Sequence, residues 1–60
     1  MEFVITIKTG NEAMREGGDI AGALRDLAGR IEDYDFSVPF SLRVRDVNGN
    51  TVGSATLTGE

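Results

Sequence analysis

Sixty residues with no cysteine and no histidine make one domain, and they exclude a disulfide framework, a zinc–thiolate site and the commonest general base. A chain this short buries only about 60% of the surface it would expose unfolded, so contact with a second chain is an expected source of support. The formal net charge is −4. It lies entirely in residues 11–35, where seven acidic side chains face three basic ones, while the remainder balances three against three. A chain without a basic surplus lacks the footprint that sequence-independent nucleic-acid binding needs.

The opening "MEFVITIK" is too short and too polar for a signal peptide or a membrane span. The chain is therefore expected to be cytoplasmic and not to associate with membranes. Phe3, Ile5 and Ile7 alternate with Val4, Thr6 and Lys8, which predicts a strand over about 2–8 with one buried face. In "NEAMREGG", Asn11 can cap a single helical turn through Met14, or a loop can pack Met14 beneath itself.

A helix is expected over about 19–33. Asp19 suits its N-cap, and Ile20, Ala23, Leu24, Leu27, Ala28, Ile31 and Tyr34 recur at spacings of three and four. Asp26 and Arg30 form an i,i+4 pair in the favourable order. Gly18, Gly22 and Gly29 fall near one another on the helical wheel, which fits either close approach of another chain or an exposed helix under weak selection for stability.

Pro39 favours extended geometry at Val38, and a hairpin over about 40–57 follows with Asn48-Gly49 at its turn. If those two residues form a type I′ turn, Phe40, Leu42 and Val44 share one face with Gly53, Ala55 and Leu57. The opposite face then collects Ser41, Arg43 and Arg45 with Val52, Ser54 and Thr56. Asp46, Asn48 and Asn50 also alternate as calcium ligands do. However, the positions that require glycine and glutamate in a calcium loop hold Thr51 and Leu57, so no metal site is expected.

These elements make an α+β fold over residues 1–60, in the order β-α-β-β. A three-stranded sheet with one helix on one face is its two-layer solution. The expected sheet is antiparallel with strand order 1-3-2. The alternative sets the first two strands side by side through a right-handed crossover.

Functional signals are few. "IEDYDF" places Glu32, Asp33 and Asp35 at the helix C-terminus, where negative charge is unfavourable, with Tyr34 and Phe36 between them. These five residues are the candidate partner-binding site, acids supplying charge and aromatics supplying anchors. Alternatively, both aromatics turn inward and the acids merely end the helix in water. On the uncovered sheet face, Val4, Thr6, Arg43, Arg45 and Val52 are the candidate self-association set, which makes a homodimer the second expectation.

No nucleophile–base pair, GxGxxG or GxxxxGK[ST] pattern is present, so neither catalytic residues nor a cofactor is expected, and the chain does not read as an enzyme.

The stretches "ITIKTGNEAM", "IAGALRDLAGRIED" and "VRDVNGNTVG" resemble a group of very small uncharacterised proteins of bacteriophage and prophage genomes, of actinobacterial type. That resemblance covers nearly the whole chain and implies an accessory protein acting in the cytoplasm of a bacterial host. It carries no activity and no functional residues.

Two function classes follow. One is a non-catalytic protein-interaction module, an inhibitor of a host protein or, more sharply, a DNA mimic. Arg15, Arg25 and Arg30 interrupt the acidic face and count against mimicry. The other is an assembly subunit that self-associates through the open sheet face or a sheet edge. Direct nucleic-acid binding by Lys8, Arg43 and Arg45 comes last, because no surface aromatic is expected beside them for stacking.

Overall fold

The computed structural model describes residues 1–59. Its elements are β1 (Glu2–Ile7), α1 (Gly17–Ile31), β2 (Phe40–Arg45) and β3 (Thr51–Thr58). β3 lies between the other two and runs antiparallel to both, giving the order β1-β3-β2. The crossover alternative, with β1 beside β2, is therefore not the one adopted.

Between β1 and α1 the chain makes a tight turn. Gly10 takes a φ of +106°, its N–H donates to the Met14 carbonyl at 2.9 Å, and the Met14 N–H donates to the Asn11 carbonyl at 3.0 Å. The Asn11 side chain accepts the Ala13 N–H at 2.9 Å, so it caps this turn. Met14 itself is fully buried. Its side chain joins Ala23, Leu27, Val44, Val52 and Ala55 in the core cluster, with Phe3, Ile7, Ile20, Ile31 and Leu42 packed around them. The chain buries a loop residue because one helix cannot cover the whole sheet.

The helix starts at Gly17 rather than at Asp19, with Glu16 at the N-cap. Asp19 is its third residue, and its carboxylate reaches back to accept the N–H groups of Glu16 (3.1 Å) and Arg15 (3.2 Å). From inside the first turn it ties down the two backbone N–H groups just ahead of the helix, and its charge there also suits the dipole. Ala23 and Leu27 are buried, and Ile20 and Ile31 are half-buried. Leu24 and Ala28, expected in the stripe, are exposed, and the closest approach of α1 to the sheet is at β2. Ile5 points to the helix side yet stays 41% exposed, since no helix lies above β1 there.

The hairpin pairs as expected from Phe40↔Leu57 to Val44↔Gly53 and then shifts, with Arg45 opposite Thr51. The turn is the reason. Among the described residues only Gly10 and Gly49 have positive φ, so Asn48 cannot occupy a type I′ position. Instead Val47, Asn48 and Gly49 (φ +83°) make a three-residue loop. It is closed by the Asp46 N–H donating to the Asn50 carbonyl at 2.9 Å and the Gly49 N–H donating to the Asp46 carbonyl at 3.0 Å. Asp46 is buried, and its Oδ1 accepts the N–H groups of Asn48 and Asn50, each at 2.9 Å. A longer loop leaves one residue of β3 over, and Val52 bulges.

Candidate interaction site

The chain beyond α1 bends back towards β2 through two turns. Glu32 keeps helical geometry, and the Tyr34 N–H donates to the Ile31 carbonyl at 3.0 Å. Asp35 then organises the second turn, accepting the Ser37 N–H at 2.9 Å and the Ser37 hydroxyl at 2.6 Å through Oδ1.

These bends swing the aromatics of the 32–36 segment onto the end of the sheet. Tyr34 lies 4.8 Å from Phe40 between ring centroids, and Phe36 lies 4.9 Å from Phe40 and 5.1 Å from Phe3. Edge-on and tilted contacts of this kind suit the ring quadrupoles. Tyr34 and Phe36 nevertheless keep 42% and 39% of their surface exposed. Glu32, Asp33 and Asp35 are exposed beside them. The aromatics are therefore partly turned inward, and the acidic neighbours stay in water.

Phe3 and Phe40 are members of this cluster that the 32–36 pattern does not suggest. Both oppose Leu57, one from each side of β3. Only the strand order brings them together, although their alternation already marks each as facing the core.

The three acids are not equivalent. The Ser37 hydroxyl, and after it the Ser37 N–H, stabilise the Asp35 carboxylate and hold its pKa below the ordinary value, against a small opposing effect of burial. A carboxyl whose folded pKa is lowered adds stability above the ordinary carboxylate range and loses it as pH falls through the folded value. Replacing Ser37→Ala should therefore move the Asp35 titration upward in a carboxyl-detected NMR experiment. An unmoved titration would mean that the hydroxyl does not hold the charge.

The self-association set divides. Val4, Thr6 and Arg43 remain exposed on the outer face, among hydroxyl side chains such as Ser41 and Thr56, whose oxygens lie 3.1 Å apart. Val52 does not lie on that face. The bulge turns it into the core, where it is buried against Val44 and Ala55. Arg45, opposite Thr51 beyond the bulge, borders a groove of about 500 Å³ between α1 and the hairpin turn, shared with Gly18, Gly22, Asp26, Arg30 and Asp46.

Several polar groups of this groove are engaged, although the buried Arg30 Nε meets Asp26 as an ion pair without a hydrogen bond. Arg30 Nε lies 3.2 Å from Asp26 Oδ2, Arg30 Nη2 donates to the Arg43 carbonyl at 2.6 Å, and Asp46 holds the turn. A side chain built at Gly18, Gly22 or Gly29 would meet nothing within 4 Å, so packing inside the chain does not demand those glycines.

Among the described residues no group of three or more carboxylates gathers as a metal site would require, and no helix is long and apolar enough to cross a membrane. Compared with family models, curated proteins and solved structures, the chain matches none.

Proposed function

We propose that this chain is a non-catalytic protein-interaction module, an accessory protein of the phage or prophage type that its sequence resembles, and that it binds a basic surface on a host protein. The observation that supports this most is the pair of half-exposed aromatics, Tyr34 and Phe36, seated on Phe40 beside the exposed carboxylates of Glu32 and Asp33. Rings held by neighbouring rings lose little freedom on binding, and acids at the rim steer a basic partner towards them. The concentration of the whole net charge in residues 11–35 favours the same partner chemistry. Inhibition of the bound host protein is the simplest consequence for a chain of this size.

The test is capture of a host protein from lysate of a phage-bearing actinobacterium on the immobilised chain, followed by measurement of its affinity. Glu32→Gln with Asp33→Asn should weaken binding about fivefold, and the loss should shrink as salt rises. Asp35 is left intact because its carboxylate builds the turn. Equal affinity for the neutralised chain would sink the proposal, as would recovery of nothing but the chain itself.

A further inference from the structure

Among the described residues both outer strands of the sheet have a free edge, but the two edges are built differently. Along β2, Pro39 stands at the entrance, Arg43 and Arg45 lie within the strand, and Arg30 covers the Arg43 carbonyl. Proline, charge and a covered carbonyl are the usual means of blunting an edge against further pairing. The sequence of β1, EFVITI, has none of these along its middle; its only charges are Glu2 at the start and Lys8 one residue past the end.

The ladder with β3 shows which backbone groups of β1 face outward. Lys8 donates its N–H to the Val52 carbonyl at 2.7 Å, continuing the register that pairs Glu2 with Thr58. At the other end, the Thr58 hydroxyl donates to the Glu2 carbonyl at 3.3 Å. Bonded and non-bonded pairs alternate along an antiparallel ladder. Glu2, Val4, Thr6 and Lys8 therefore turn their N–H and C=O groups to β3, and Phe3, Ile5 and Ile7 turn theirs to the open edge.

A second copy related by a two-fold axis must pair antiparallel, and it must offer the same outward-facing positions. Registers that oppose odd with even residues bring outward groups against inward ones and form no ladder. Among the rest, the register centred on Ile5 uses the whole strand. It sets Phe3 opposite Ile7 of the second copy and Ile5 opposite Ile5. It also sets Val4 opposite Thr6, and Glu2 opposite Lys8. Directly opposed residues share a face, so the end charges meet as complementary pairs and both helices fall on one side. Ile5, exposed on the helix side although apolar, gains a partner.

We propose that two copies of this chain join through β1 in that register, merging two three-stranded sheets into one continuous sheet. This pairing needs no basic partner, and an assay on the purified chain contains none, so its outcome is separate from that of the interaction proposed above.

Sedimentation equilibrium of the full chain, from about 1 to about 500 μM to span the range of a small interface, should show the mass rising from one chain to two and stopping there. Lys8→Glu alone and Glu2→Lys alone should each weaken the dimer about tenfold, and the double exchange should restore native affinity. Both positions are exposed, and circular dichroism of each variant checks that it is folded. Amide exchange at Phe3, Ile5 and Ile7 should slow as concentration rises. A single-chain mass throughout, growth beyond two chains, or a double exchange no tighter than the single ones would each overturn the proposal.

Discussion

Replacing Gly53→Ala should unfold much of the protein at temperatures where the native chain is folded. Gly53 lies in the central strand, opposite Ile7 on one side and Val44 on the other. A methyl group there would collide with the Thr6 carbonyl oxygen and come within 2.9 Å of the Ile7 Cα and the Thr6 carbonyl carbon. These are backbone atoms, so no rotamer change relieves the clash. β1 would have to move away from β3, loosening the bond between Lys8 and Val52. Overpacking of this kind costs about 3 kcal/mol. Set against a total of about 3–9 kcal/mol for a domain of this length, that loss is large. Thermal unfolding followed by circular dichroism should show the midpoint falling by about 15 °C. A midpoint within about 2 °C of native would mean that the strands separate more easily than their packing implies.

Met14→Ala should cost about 2–5 kcal/mol, the range for emptying a buried site of this size. The side chain is completely buried although it belongs to a turn, and it shares one core cluster with Leu27 of the helix and Val44 of the sheet. Met14→Leu, which nearly conserves volume, should cost less than about 1.5 kcal/mol. Val47→Ser is the control. Val47 is apolar too, yet it stands 87% exposed at the hairpin tip, and its loss should change stability by no more than about 0.5 kcal/mol. Urea unfolding separates the three through its midpoint, with similar slopes expected throughout. If Met14→Ala and Val47→Ser proved equally mild, the loop would not be part of the core.

The candidate site was half legible. "IEDYDF" draws notice because three acids end a helix against its dipole, and the segment does place Tyr34 and Phe36 at the surface beside Glu32 and Asp33. Its internal division was not legible. Asp35 looks like its neighbours in the sequence, but its carboxylate is occupied by Ser37, two residues further on. Nor does the pattern reveal that Phe3, at the far end of the chain, supports Phe36.

Local rules reached far in this chain. Alternation in 3–7, the three-and-four spacing from Ile20 to Ile31, and the polar–apolar separation across the hairpin each rest on the period of one element, and all three elements formed. The pairs from Phe40↔Leu57 to Val44↔Gly53 followed as well, because a slip would have turned apolar residues to water. Where two elements had to be placed against each other, periodicity no longer sufficed. Val52 reads as an outer-face residue until the loop length leaves a residue over and the bulge buries it. Leu24 and Ile5 read as core until α1 settles on β2 and leaves both at the surface. Met14 could stand either way, and it is buried because a single helix leaves part of the sheet for a loop to cover. Spacing determines which side of an element is apolar. How much of that side escapes water depends on what the other elements can reach.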